Sequence, residues 1–343
     1  MKSSNRSIYL TAEGFMTYQE FVQKVQDRLN ERQEQNENLY SVKADTVKKI
    51  QGSYYGLVVS MTSNPVADFG VNLKKSFTDF IINKVSIEDV VIEVDQQLHY
   101  EIEHVSKYNL SKLKDYEYVK KHLGLQVINM EKNQDLLETI PYTQIADLAL
   151  IYRICLAEDR CALINNNMLK RYSISGEQLH MDAMLCAQKR EPFFIRKIGE
   201  VLKELLKEIL QDKEMPKEKK KEMKKRLARI EDDPPTQMYI CGIDRAYGAS
   251  VIARSDFLEK AIQLMGGDFY VIPSSIYDVI ILKDRHHGSI ELLEKTIWEV
   301  NLQDVPEEEF LSNNLYHYDS SAHIFETAAD YEQRMKNGPE MLM

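Results

Sequence analysis

The sequence predicts an α+β protein of two domains: a small N-terminal helix-sheet-helix domain over residues 1–110, then a larger mixed-sheet domain flanked by helices over 111–319. Three observations carry this. The chain has 343 residues, enough for two hydrophobic cores of ordinary size. Its first hundred or so residues run from a helical stripe through a hairpin pattern to a second helical stripe. Its most densely patterned stretch, Gly267 to Asn301, packs two buried-strand patterns and an amphipathic helix into the shortest space.

In the first domain, Met16 to Arg32 carries Phe21, Val25 and Leu29 at four-residue spacing, with Thr17 as N-cap. Tyr40 to Ile50 and Tyr54 to Met61 alternate and hold β-branched residues, so they read as a hairpin turning at Gln51-Gly52-Ser53. Asn64-Pro65 interrupts the pattern, a third short strand spans Ala67 to Leu73, and Phe77 to Ile82 starts a helix. Ser86-x-x-Asp89 resembles a capping box, with Asp in place of Glu or Gln, ahead of the stripe Val90, Val94, Leu98 and Ile102.

In the second domain, Asp115 to His122 reads as helical, Leu125 to Met130 as extended and Gln134 to Thr139 as helical, before Pro141. The apolar run Ile145 to Leu156 suits strand or helix; Arg160 to Leu169 can pair with it across Ala157-Glu158-Asp159, which favours a strand. Ser175 caps a helix through Leu179, Met184 and Leu185, and Pro192 starts another through Ile198, Leu202, Leu205 and Ile209. A charged helical arm follows over 211–231, ended by Asp232-Asp233-Pro234-Pro235. Gln237 to Cys241 and Gly248 to Ala253 read as strands, Ser255 as the cap of a helix Asp256 to Met265, and Gly266-Gly267 as its stop. Phe269 to Ile272 and Val279 to Leu282 are core strands joined by Pro273-Ser274-Ser275. Ile290, Leu293, Ile297 and Val300 then make one helical face, beside the single tryptophan, Trp298. A short helix from Pro306 and an edge strand at Asn314 to Tyr318 complete the domain, and residues 320–343 are expected to be a weakly structured tail.

Bulk properties exclude several function classes. Net charge is −10, which opposes whole-surface attraction to nucleic acid or anionic membrane. There are 13 glycines and neither G-x-G-x-x-G nor G-x-x-x-x-G-K-[ST], so dinucleotide-fold and Walker-type binding are set aside and no cofactor is expected. No window approaches eighteen uncharged apolar residues, and MKSSNRSIYLTAEGF lacks a secretion signal's apolar stretch, so a cytosolic address and no membrane contact are expected. Cys155, Cys161, Cys186 and Cys241 show no C-x-x-C spacing and read as reduced, mostly buried thiols.

Few residues suggest chemistry. His286-His287 is the single adjacent histidine pair, and neighbours on an extended strand point apart; His99, His104 and His180 share no ligand face, so no metal is expected. Ser274, Ser275, Tyr277 and Asp278 sit where a strand edge meets a turn and present hydroxyls and a carboxylate, with Asp244 in a polar break between two strands. Turn-closing hydrogen bonds account for the serines more simply, and no G-x-S-x-G elbow is present. Lys213 to Arg229 is the one basic segment, with Lys217, Lys220, Lys221, Lys224, Lys225, Arg226 and Arg229 as candidate phosphate contacts. Met223, Leu227 and Ile230 mark a buried helix edge there, and no aromatic residue interleaves to stack on bases.

Five stretches together resemble a domain-of-unknown-function family of gut anaerobic Firmicutes: Met16-Thr17-Tyr18-Gln19-Glu20-Phe21, EKNQDLLETIPYTQIADLA, MYICGIDRAYGAS, YVIPSSIYDVIIL and EVNLQDVPEEEFLSNNLYHYD. The resemblance covers roughly residues 16–319 and implies a shared fold without an established activity. Family members commonly carry histidines at the positions of Tyr142 and Tyr277. Tyrosine keeps a ring and one hydrogen-bonding group there, and its presence weakens a catalytic reading.

The leading expectation is a non-enzymatic cytosolic interaction or regulatory protein with a protein partner, serving a mobile element or a phage-related conflict. One alternative is a hydrolase-type enzyme using the Pro273–Asp278 turn with Asp244. The other is a nucleic-acid binder acting through Lys213–Arg229.

Overall fold

The structure, a computed structural model, describes all residues except 1–7, 12–13, 36–37, 63, 107–109, 157–160, 212–215, 233–237, 245–246, 284–289 and 338–343. The fold is α+β, and the chain divides into two units, Met1–Tyr118 and Val119–Met343.

In the first unit, β1 (Ile8–Thr11) and β2 (Gly14–Thr17) form an antiparallel ribbon. Helix α1 (Tyr18–Gln35) starts at a capping box, with Glu20 N donating to Thr17 Oγ1 at 3.2 Å and Thr17 N donating to Glu20 Oε2 at 2.7 Å. Strands β3 (Tyr40–Lys49), β4 (Gly52–Met61) and β5 (Asn64–Val71) make an antiparallel meander. The β3–β4 turn is the pair Ile50-Gln51, and Gln51 takes the φ of 62° that so tight a connection demands. After α2 (Lys74–Ile82), the Ser86–Asp89 box starts α3 (Ile87–Ser106), with Asp89 N donating to Ser86 Oγ at 3.1 Å. Phe21, Val25, Leu29, Leu57, Val59, Val91 and Leu98 form one apolar core. Asp95 is buried beside it, as is Gln33. Its carboxylate accepts from Tyr40 Oη, from Gln33 Nε2 at 3.2 Å and from Arg32 Nε at 3.3 Å.

A short helix α4 (Tyr116–Val119) spans the division. The second unit holds two antiparallel sheets where a mixed sheet was expected. In the smaller, β8 (Leu148–Cys155) is flanked on one side by β6 (Leu123–Asn129) and on the other by β7 (Tyr142–Ile145) and β9 (Cys161–Leu163) in tandem. Strands β6 and β8 are buried along nearly their whole length, which is why Leu148 to Tyr152 is continuously apolar rather than alternating. The helix α5 (Gln134–Leu137) lies between β6 and β7; α6 (Asn166–Tyr172) and α7 (Gly176–Arg190) follow β9, and Ser175 caps α7 by accepting from Gln178 N at 3.1 Å.

The larger sheet has the order β10 (Phe193–Lys197), β11 (Met238–Ile243), β13 (Asp278–Lys283), β12 (Phe269–Pro273), β14 (Tyr316–Asp319), β15 (Ile324–Thr327). Between β10 and β11 run α8 (Ile198–Gln211) and the arm helix α9 (Lys217–Asp232), which pack on one another. Helices α10 (Ser255–Met265), α11 (Ile290–Asp304) and α12 (Ala328–Asn337) complete the unit.

Several expectations are corrected. Pro192 precedes a strand, because Phe193 to Lys197 pair with β11 and the helix waits until Ile198. Gly248 to Ala253 is a buried 3-10 helix rather than a strand. Tyr247, at φ 73°, turns the chain back so that Ser250 N reaches Tyr247 O at 3.1 Å. Ser255 already lies in α10, whose N-cap position is Arg254. On α11, Ile297 is buried but Val300 is exposed, so the apolar face is shorter than its spacing implied. Residues 307–309 form turns without a helix, and the expected edge strand β14 is internal because β15 pairs beyond it. The tail holds β15 and α12, stapled by Arg334, whose guanidinium donates to Asp319 Oδ2 at 2.8 Å and Glu326 Oε1 at 2.6 Å.

Candidate functional site

In the second unit a groove of about 670 Å³ opens beside the β7–β8 hairpin. Met130, Leu137 and Ala146 contribute apolar surface, Gln134, Tyr142 and Gln144 contribute neutral polar surface, and Glu131, Glu138, Asp147 and Asp330 contribute four carboxylates. The hairpin that shapes it turns on Ala146-Asp147. Ala146 adopts φ 51°, and its carbonyl accepts from Gln144 Nε2 at 2.9 Å. Asp147 is held by Asn314 Nδ2 at 2.8 Å and Tyr316 Oη at 2.7 Å, and burial together with this carboxylate pushes the Tyr316 hydroxyl up. Asp330, in the first turn of α12, accepts from Thr327 Oγ1 at 2.6 Å. Glu131 and Glu138 are exposed and make no ion pair among the described residues. Among the residues that line the groove there is no lysine, arginine or histidine, so the charge of its lining is negative.

The turn between β12 and β13 gathers Ser274, Ser275, Tyr277 and Asp278. Ser275 closes it, accepting from Tyr277 N at 3.0 Å through Oγ while its own N donates to Asp278 O at 3.2 Å. Burial pushes the Asp278 carboxyl above the ordinary value, opposed by a hydrogen bond from Ser274, and its Oδ1 has no hydrogen-bond partner among the described residues. Partial burial raises the Tyr277 hydroxyl, assisted by Glu309 and Tyr247. The 3-10 helix closes tightly over this turn. Ala249 N donates to Ile276 O at 3.2 Å, and a Cβ on Gly248 would collide with Tyr277 O. Asp244 is exposed at the end of β11, and no hydrogen bond or ion pair joins it to Asp278 among the described residues.

On α9, Lys219, Lys221, Lys224 and Lys225 are exposed and Lys220 is half-buried. Lys213 lies outside the described residues, as do the side chains of Lys217, Arg226 and Arg229. His286 and His287 also lie outside them. Among the described residues, no group of three His, Cys, Asp or Glu side chains could hold a metal ion, and no helix is long and apolar enough to cross a membrane.

Sequence reasoning missed the groove. Asp330 comes from the segment expected to be a tail, and Glu131, Glu138 and Asp147 entered the sequence reading only within the stretch EKNQDLLETIPYTQIADLA. Their shared signal was their sign, and that has no positional meaning until the hairpin and α12 are placed.

In comparisons with known proteins, the model of a family of unknown function, DUF5688, matches residues 18–320. No curated protein and no solved structure matches the chain.

Proposed function

We infer, from the premise that this chain belongs to the family of unknown function DUF5688, that it is a non-enzymatic cytosolic interaction protein whose acidic groove receives a basic segment of a protein partner. The observation that carries this reading is the set of four carboxylates, with no cation among them, around a partly apolar floor. Lysine and arginine suit such a groove twice over. Their methylene stems cover apolar surface and their heads reach carboxylates. An overall charge of −10 adds a long-range pull that speeds encounter and weakens with salt.

The test uses a fluorescently labelled lysine-rich peptide and anisotropy titrations at low and physiological salt. The double reversal Glu131→Lys with Glu138→Lys is expected to weaken binding at least about tenfold, close to the ~1.4 kcal/mol of one good charge contact. The control, Glu88→Lys with Glu93→Lys, makes the same change in net charge on exposed α3 positions and is expected to leave affinity within about twofold. Equal losses in both variants would reduce the interaction to net charge and remove the groove from the reading.

A further inference from the structure

A second cluster lies on one face of the smaller sheet and takes no part in the groove. Cys155 on β8 and Cys161 on β9 are directly opposite, with their sulfurs 2.7 Å apart. Ile164 N donates to Tyr152 O at 3.0 Å, which makes Tyr152 and Ile164 a hydrogen-bonded pair of the β8–β9 ladder. Alternation along an antiparallel ladder then makes Cys155–Cys161 a non-hydrogen-bonded pair, the kind whose Cα atoms approach to about 4.5 Å and whose side chains lie closest. That separation is within the span of a disulfide.

The surroundings favour sulfur chemistry. Gly124 on β6 lies opposite Arg153, and a Cβ there would sit 2.7 Å from Cys155 Sγ, so the glycine leaves the sulfur its space. Arg153, two residues before Cys155 and therefore on the same face, is only 9% exposed. Its Nε donates to Gln126 Oε1 at 2.5 Å and its guanidinium lies 4.3 Å from the centre of the Tyr247 ring. No carboxylate pairs with it among the described residues. A guanidinium buried without a carboxylate is costly, and a thiolate is an anion that this cluster can itself supply.

We propose that Cys155 and Cys161 form a reversible thiol–disulfide centre that exchanges with low-molecular-weight disulfides, with Arg153 as the positioning residue that stabilises the thiolate. The adjoining Cys161 sulfur, then burial, push the Cys155 thiol up, and the Glu191 carboxylate near Cys155 adds to this, so Cys161 is assigned as the attacking sulfur. With oxidised glutathione, Cys161 gives up its proton and its thiolate attacks one sulfur of the S–S bond. That bond breaks, and the first glutathione leaves with the proton. Cys155 then gives up its proton and attacks the Cys161 sulfur of the mixed disulfide; the Cys161–glutathione S–S bond breaks, and the second glutathione leaves as a thiol with that proton. Two protein thiols are oxidised and one glutathione disulfide is reduced to two thiols.

Trypsin cuts after Arg153, Arg160 and Lys170, which places the two cysteines on separate peptides, Ile154–Arg160 and Cys161–Lys170. Reduced protein is treated with oxidised glutathione, alkylated, digested and read by mass spectrometry. The expected product is these two peptides joined with loss of two hydrogens, reversed by dithiothreitol. Cys186 and Cys241, buried thiols whose ionisation burial opposes, are expected to remain unmodified. Cys155→Ser is expected to hold glutathione on Cys161, since the resolving thiol is gone. Arg153→Gln is expected to slow capture at neutral pH roughly tenfold and Arg153→Lys to restore it, a charge rescue that a purely structural role would not show. Absence of the joined peptides in the unmutated protein, with glutathione adducts or free thiols in their place, would overturn the proposal.

Discussion

Gly248 offers the sharpest test of the architecture around the β12–β13 turn. A Cβ added there would meet three backbone atoms, Tyr277 O, Ile243 N and Gly242 Cα, and none of them can rotate away as a side-chain tip can. Gly248→Ala therefore forces the turn carrying Ser274 to Asp278 off the 3-10 helix, an overpacking change that costs about 3 kcal/mol, the upper end of its usual range. For a unit spanning Val119–Met343 this lowers Tm by about 6–12 °C, at about 2–4 °C per kcal/mol. Gly176 supplies the control. It begins α7 with nothing within 4 Å of its virtual Cβ, so Gly176→Ala is expected to gain up to about 1 kcal/mol from reduced backbone entropy in the unfolded chain. The assay is scanning calorimetry on both variants beside the unmutated protein. Identical shifts, or a Gly248→Ala Tm within about 2 °C of the parent, would refute the tight closure of this turn.

Two further outcomes are expected. The Asp278 carboxyl is raised in the folded protein, so folding favours its protonated form; that contribution is fully present below the ordinary Asp value of 3.8 and is lost as pH rises through the folded value. Asp278→Asn should consequently raise the urea midpoint at pH 7, with an advantage that shrinks as pH falls toward about 3; an advantage independent of pH would remove this account. In the first unit, Asp95→Ala leaves the Tyr40 hydroxyl, the Gln33 amide and Arg32 without their shared acceptor, at a cost of about 3–5 kcal/mol by denaturant unfolding, whereas a loss below about 1 kcal/mol would show that the hub contributes little.

Much of the fold was legible because local chemistry and tertiary placement agree. Thr17 with Glu20 and Ser86 with Asp89 start their helices where their hydrogen-bonding capacity suggests, and the β3–β4 and β12–β13 pairs follow their alternation. The failures occur where distant partners decide. Phe193 to Lys197 become a strand because β11 is there to receive them, and Gly248 to Ala253 curl because Tyr247 reverses the chain. Asp95 gave little signal beside Val94 and Leu98, since apart from His99 one turn on its partners come from α1 and β3. The candidate sites were harder still. The β12–β13 turn could be named residue by residue, but the groove joins Asp330 to residues nearly two hundred positions earlier. Cys155 and Cys161 looked unrelated under C-x-x-C spacing, yet a five-residue connection between antiparallel strands sets them face to face.

The segment matched by the family model stops at residue 320, before β15 begins at Ile324. The sheet does not stop there. Strand β15 covers the outer hydrogen-bonding row of β14, Phe325 stacks on Tyr316 with ring centres 5.2 Å apart, and Tyr331 of α12 lies 3.6 Å from the His317 ring. A chain cut back to the matched segment would present β14 as a bare, aromatic-rich edge, open to pairing with the same edge of another copy. Residues 324–337 therefore act as a built-in protecting strand and clamp. The sheet accordingly extends beyond the stretch by which the family is recognised.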